Sequence, residues 1–294
     1  MNTAELYDQF IVSRQRARLS PDTIAWYGYT LRPLVARMPG LATTAEIEAW
    51  LDTAPSNASA RSWLRAARAM FNWQTRRFGI PSPTSTIVPA RPSRTLPRVF
   101  TIGELRLILS AAARDARDAA AIAVLIDTGI RIGELHSIRA ERIEYDDQQG
   151  TAAVTVHGKT GSRRVPLTTQ ARAALMRIAP PTGPVWTCQP GPTVRHMRNA
   201  KPMAKTTLEL RIRAVIQRAG VTGPKTGPHT FRHTFATMYL RQGGDIYRLQ
   251  RLLGHASIKQ TTVYLHLADP EAFEEHSRLS PLTQLRTNQP RMAI

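Results

Sequence analysis

A cluster of prolines limits the folds open to this chain more than any other feature. Pro81, Pro83, Pro89, Pro92 and Pro97 all fall within residues 80–99, among Ser, Thr and Arg. Proline fixes φ, lacks a backbone N–H and drives the preceding residue out of the α region, so no helix can run through this stretch. Residues 81–99 therefore read as an extended linker between two domains. A length of 294 residues suits that division. The expected plan is a first domain over 1–80, a second over 100–280 and a flexible basic tail over 281–294.

Before the prolines the periodicity is helical throughout. Thr3 opens a helix carrying Leu6, Tyr7, Phe10 and Ile11, and Ser20-Pro21 is a cap followed by a first-turn proline. Ile24, Tyr27, Leu31, Leu34 and Val35 then share one face. A short helix is expected over 44–51, with Ile47 and Trp50 inward. Asn57 is the expected cap of a fourth helix that turns Trp63, Leu64, Ala67, Met70, Phe71 and Trp73 inward, sets Arg61, Arg65 and Arg68 on the opposite face, and ends at Gly79.

After the prolines, Thr101-x-x-Glu104 is a capping box. Helices are expected at 101–113 and 115–128. Alternation then predicts strands Arg142–Tyr145, Thr151–His157 and Arg163–Leu167, the last two joined by the tight turn Gly158-Lys159-Thr160-Gly161. Helices over 168–178, 206–219, 228–241, 245–253, 257–266 and 270–278 complete a mainly α protein with a small antiparallel sheet.

Lys and Arg total 40 against 21 Asp and Glu, a net charge of +19. The excess is present in both halves: 12 basic against 6 acidic residues up to residue 95, and 28 against 15 beyond it. A polyanion touching both halves is the expected partner, and duplex DNA is the obvious one. Hydrophobic residues make up 42%, which excludes a disordered chain. Cys188 is the only cysteine, so no internal disulfide forms and a reducing compartment is expected. No signal-peptide pattern and no apolar run of membrane-spanning length is present, which points to a cytoplasmic protein.

Four segments could carry chemistry. In Thr128-Gly129-Ile130-Arg131-Ile132-Gly133-Glu134-Leu135, Glu134 is one helical turn from Arg131 and can orient its guanidinium fork toward a phosphate. Lys159 is one of only five lysines, at a turn whose two glycines allow close approach to a ligand, where an ammonium could protonate a leaving oxygen. In Pro228-His229-Thr230-Phe231-Arg232-His233, His229 and Arg232 share a face in a helical first turn, a place suited to an anion. His233 points elsewhere and reads as structural. Finally, Gly254 ends a helix before His255, and Tyr264 follows nine residues later. A lone tyrosine at helical spacing reads as core.

The combination changes that reading. Two Arg, two His, one Lys and one Tyr are what metal-free phosphoryl transfer requires. Arginines neutralise the non-bridging oxygens, histidines add hydrogen bonds and handle the tyrosine proton, Lys159 serves the leaving 5′ oxygen and Tyr264 forms a covalent intermediate. The diester keeps the bond energy, so rejoining needs no ATP. His136, His157, His196 and His266 have no metal-binding spacing, and the phosphate-loop pattern is missing. No cofactor and no metal are expected. Tyr239 and Tyr247 lack a comparable setting.

Across these stretches the sequence closely resembles the tyrosine recombinase (phage integrase) family: Thr128–Leu135, Gly158–Leu167, His229–Ala236, Leu252–His255 and Thr262–Tyr264 match in order and spacing. The resemblance implies Arg131, Lys159, His229, Arg232 and His255 as the activating set, Tyr264 as nucleophile and Glu134 as supporting carboxylate. It implies a helical (SAM-like) core-binding domain before the catalytic domain, the two forming a C-shaped clamp on DNA. It brings Arg61, Arg65 and Arg68 to the major groove, and Lys205, Thr206 and Arg211 to the groove from the catalytic side. With no arm-binding segment before the first helix, the layout is expected to be that of simple-site (Xer- and Cre-type) members. These recombine specific sites in a DNA-bound tetramer through a Holliday junction, some with an accessory protein or a second recombinase. Ala268–Leu279 would be the helix that docks on a neighbouring subunit or on its own. Two alternatives stay open: DNA relaxation of the type IB topoisomerase kind, and a catalytically idle DNA-binding regulator with the same fold.

Overall fold

The computed structural model describes residues 2–38, 40–91, 97–158, 161–188 and 201–268. The turn tip at Lys159, the helix expected over 270–278, most of the docking helix and the basic tail lie outside these residues. The chain divides into two compact units, Met1–Thr95 and Leu96–Ile294.

The first unit is four helices: α1 (Thr3–Arg16), α2 (Pro21–Arg37), α3 (Thr44–Asp52) and α4 (Asn57–Phe78). Their starts follow local chemistry. Asn2 and Thr43 form capping boxes with Glu5 and Glu46, and Ser20 caps the turn that Pro21 opens. The cap of α4 is Ser56, whose hydroxyl accepts from Ser59 N, and not Asn57. A hydroxyl cap of this kind contributes about 1 kcal/mol. Leu6, Phe10, Leu31, Leu34, Ile47, Met70 and Phe71 are fully buried together, and Trp50 stacks on Trp63.

The expected linker behaves differently over residues 80–91. Ile87 and Thr84 are buried, and Ile87 belongs to the helical core. Backbone carbonyls here, which no regular ladder can satisfy, accept from side chains instead: Pro83 O from Thr44, Ile87 O from Arg68 and Ala90 O from Arg61. The prolines stop a helix, but one apolar side chain and three donors suffice to hold this segment against α3 and α4.

Near the start of the second unit, Phe100 N donates to Thr234 Oγ1 at 2.8 Å. Helices α5 (Ile102–Ala112), α6 (Ala116–Thr128) and the short α7 (Ile132–His136) precede strands β1 (Ile143–Asp146), β2 (Thr151–Gly158) and β3 (Gly161–Leu167). The strands form an antiparallel meander in the order β1-β2-β3, with Val154 opposite both Ile143 and Val165. Then follow α8 (Thr169–Met176), α9 (Lys205–Arg218), α10 (Pro228–Arg241) and α11 (Ile246–Leu253). The core runs through Ile122, Val124, Leu125, Leu135, Val154, Val156, Trp186, Val215 and Phe231.

Residues 257–266 are not the single helix expected. They form 3₁₀ turns at Ile258–Gln260 and Thr262–Tyr264 before the short α12 (Leu265–Ala268). Thr261, fully buried between the turns, uses its hydroxyl on His255. A polar residue tied across the turn competes with a continuous helical ladder.

Candidate active site

The centre of the site is one carboxylate. Glu134, only 2% exposed, sits in the first turn of α7, where its Oε2 accepts from Arg131 N at 2.8 Å and its Oε1 from Arg131 Nη1 at 3.0 Å. The expected Arg131–Glu134 pair is therefore present, but it is the smaller part of the arrangement. Arg163 on β3 grips both carboxylate oxygens, Nη1 to Oε1 and Nη2 to Oε2, each at 2.8 Å, and its Nε donates to Leu252 O at 2.7 Å. Burial alone would raise the Glu134 pKa. The Arg163 fork and the Arg131 amide outweigh it, and the carboxyl lies below its ordinary value.

Two glycines make this geometry feasible. A Cβ on Gly158 would lie 2.7 Å from Glu134 Oε1, so the close approach at this turn serves an internal carboxylate as well as any ligand. Gly254 closes α11 at φ 64, and a Cβ there would meet Arg163 Nη1 at 2.7 Å. Glycine alone fits both the left-handed backbone and the space.

Arg232 is buried on α10, 3% exposed, and donates through Nη1 to Gly129 O at 3.0 Å and through Nη2 to Leu253 O at 2.8 Å. Arg131 Nη1 also reaches Leu253 O, at 3.5 Å, and its side chain remains 34% exposed. Two guanidinium forks thus converge on one carbonyl. Burial, and then the charge of Arg131, lower the Arg232 pKa to about 10, which leaves it charged at neutral pH.

Tyr264 is 4% exposed and packs with Ala236, Leu249 and Leu253. It is a core residue and a site residue at once. Its hydroxyl lies 3.0 Å from His233 Nδ1, and its ring is nearly parallel to that of His255. Burial raises the phenol pKa, while Arg232, through hydrogen bonding and charge, opposes the rise. The sequence reading missed two members of the site. Arg163 sits 29 residues from Glu134, with no local spacing to announce it. His233 was assigned a structural role, yet it is the histidine joined to the tyrosine hydroxyl.

The three histidines are held neutral. Burial, followed by His229 and Arg232, lowers the His233 pKa to about 4, and burial followed by Arg232 and Arg131 does the same for His255. His229 keeps an exposed edge at the rim. Partial desolvation and the charges of Arg232 and Arg131 depress it too. In the DNA-free protein the His233 and His255 ring protons should titrate near pH 4 by NMR. The unfolded chain binds those protons near pH 6.5 and the fold refuses them, so stability should fall as pH drops from about 6.5 toward 4. Titration of both rings near 6.5 would contradict this.

The residues expected to touch DNA fare unequally. Arg211 is committed elsewhere: its guanidinium pairs with Asp115 at 2.9 Å and with Asp118 at 2.8 Å, while Arg218 takes the other Asp118 oxygen. A carboxylate with 6% exposure needs those partners, so the Arg211 guanidinium is held by Asp115 and Asp118 in the DNA-free protein. Thr206 is exposed in the first turn of α9, beside Lys205. Arg61 and Arg68 hold the 80–91 segment, and Arg65 lies over the Trp26 ring at 4.7 Å. Among the described residues no group of three or more His, Cys, Asp or Glu is placed to hold a metal ion, and no helix is long and apolar enough to cross a membrane.

A helical unit followed by an α-rich unit with a three-stranded sheet, in which two arginine forks, histidines and a tyrosine converge, is the arrangement of tyrosine-type DNA recombinases. The chain belongs to the phage integrase family, whose model matches residues 98–271. It is 27% identical to the tyrosine recombinase XerC of Pseudomonas fluorescens, across 86% of this chain and 88% of that protein. It is 29% identical to XerC of Xylella fastidiosa, across 83% and 82%. Among solved structures it is similar to the XerA recombinase, with 25% identity, a TM-score of 0.51 and coverage of 95% and 99% of the two chains. It shares its fold with a lambda integrase dimer bound to a COC′ core site, with 20% identity, a TM-score of 0.72 and coverage of 88% and 97%.

Proposed function

We propose that this protein cleaves and rejoins duplex DNA at a specific recombination site, with Tyr264 attacking the scissile phosphate to give a 3′-phosphotyrosyl link and a free 5′-hydroxyl. The convergence of Arg131 and Arg232 on the Leu253 carbonyl, with the Tyr264 hydroxyl beside Arg232, carries this reading. Two fixed positive forks beside a nucleophile neutralise the charge that develops on the non-bridging oxygens, and being preorganised they need no rearrangement as it develops. Glu134 and Arg163 position Arg131. His229 and His255 supply hydrogen bonds to the phosphate, and Lys159 protonates the departing 5′ oxygen. The 5′-hydroxyl of a partner duplex then attacks the phosphotyrosine, and two such rounds pass through a Holliday junction in a DNA-bound tetramer. A lambda integrase tetramer bound to a Holliday junction has the same fold.

In this reading residues 1–80 form the core-binding domain and 100–280 the catalytic domain. Arg61, Arg65 and Arg68 present a basic edge to the major groove, while Lys205 and Thr206 contact DNA from the catalytic side. The test is a nicked duplex from which the short fragment bearing the free 5′-hydroxyl diffuses away after cleavage. Wild-type protein should accumulate a covalent adduct that survives denaturation, and peptide mapping should place the nucleotide on Tyr264. Attachment to Tyr239 or Tyr247 would overturn the assignment. Relaxation of supercoiled circles without exchange between two sites would favour a topoisomerase.

A further inference from the structure

The geometry points to His233 as the base that takes the Tyr264 phenol proton during cleavage, an inference that rests on Tyr264 being the nucleophile. Three histidines belong to the site, but they are not equivalent. His255 has its Nδ1 tied to Thr261 Oγ1 at 2.8 Å. His229 lies at the exposed rim. His233 alone among the described residues has a ring nitrogen hydrogen-bonded to Tyr264 Oη, at 3.0 Å, within the reach required of a general base. The His233 ring is half-buried and the Tyr264 side chain buried, so bulk water does not compete freely for the proton.

Electrostatics support the assignment and add a condition to it. The charged and titratable groups acting on His233 are His229 and Arg232 on its own helix, and Tyr264 faces it from the 3₁₀ turn. Burial, then His229 and Arg232, keep the imidazole neutral, and in the tautomer with its proton on Nε2 the Nδ1 lone pair faces the hydroxyl as an acceptor. The same Arg232 stabilises the phenolate. Without DNA the transfer is uphill, because an imidazolium would form beside a guanidinium. A bound phosphate reverses that balance by bringing negative charge to both cations. The nucleophile is therefore activated by the substrate itself.

The step balances. As the Tyr264 Oη–P bond forms, the phenol proton passes to His233 Nδ1. As the P–O5′ bond breaks, the leaving oxygen takes a proton from Lys159. Rejoining runs both transfers backward, His233 returning its proton to the phenolate.

The test is single-turnover cleavage of the nicked duplex at saturating protein, from pH 5.5 to 9.5, by wild type, His233→Ala, His233→Asn and Lys159→Ala. Each is assayed on an ordinary scissile phosphate and on one with sulfur in place of the 5′-bridging oxygen. His233→Ala and His233→Asn should each lose about 10²- to 10³-fold at pH 7. The deficit should shrink about tenfold per pH unit as solvent ionises the phenol. Bridging sulfur, which leaves without a proton, should rescue Lys159→Ala but neither His233 variant, and added imidazole should partly restore His233→Ala. Melting temperature and DNA affinity report folding. The Asn variant keeps an acceptor for the hydroxyl without a basic nitrogen, so a wild-type rate there would overturn the proposal. A wild-type rate for His233→Ala, a deficit constant across pH, or rescue of either variant by sulfur would do the same. Failure of wild type to form an adduct on either substrate would instead overturn the assignment of Tyr264.

Discussion

Tyr264→Phe should leave a folded protein that binds its DNA with wild-type affinity and forms no covalent adduct. The ring is the structural half of the residue: it packs against Ala236, Leu249 and Leu253, and phenylalanine retains all of that apolar surface. The hydroxyl is bonded to His233, and losing one such bond costs about 1 kcal/mol. In the proposed mechanism the hydroxyl is also the nucleophile, and loss of a nucleophile in a covalent mechanism costs about 10⁵-fold or more in rate. Melting temperature and gel-shift affinity should therefore stay near wild type while adduct formation on the nicked duplex vanishes. An adduct formed by the Phe variant at a comparable rate would mean that another oxygen attacks.

Glu134→Ala should damage both stability and chemistry. The carboxylate is the counter-charge of two guanidinium groups and the acceptor for the Arg131 amide. Arg163, with 13% of its side chain exposed, cannot turn to water when its partner is removed. Breaking a buried pair in this way destabilises by about 3–5 kcal/mol. For a domain of this size that is a fall of roughly 10 °C in Tm. Cleavage should drop further, by about 10²- to 10³-fold where the variant remains folded, because Arg131 loses the group that aims it. The comparison with Glu134→Gln is informative: the amide keeps the shape and one accepting oxygen, so stability should recover more than rate. The carboxyl pKa is depressed in the fold, so its contribution is present above the unfolded value of 4.5 and is lost as pH falls below it. A Glu134→Ala protein with wild-type Tm would show that Arg163 is satisfied elsewhere.

The two effects separate what is local in this site from what is not. Arg131 and Glu134 were legible as a pair because side chains three residues apart face one another at a helix start. His229 and Arg232 were legible for the same reason, in a first turn marked by Pro228. The strands were legible because alternation sets them, and they extend only by a residue or two at the turn. Helix starts followed capping chemistry, with one shift from Asn57 to Ser56 where two good caps are adjacent. Residues 80–91 were misread because proline content reports what a segment cannot be. It is silent on whether Ile87 finds a pocket and whether Arg61 and Arg68 find its carbonyls.

The sequence by itself determined most of the elements, the two-part plan and the residues proposed to react, Tyr264 included, because those depend on residue type and short spacing. Tertiary structure alone decided who holds whom: Arg163 on Glu134, Arg211 on Asp115 and Asp118, Arg131 and Arg232 on one carbonyl, and His233 rather than a better-advertised histidine on the tyrosine hydroxyl. The reason is physical. A guanidinium or an imidazole carries no periodic signature of its partner. Charges buried by packing must nonetheless be paired, so packing chooses among partners that a linear reading leaves equal.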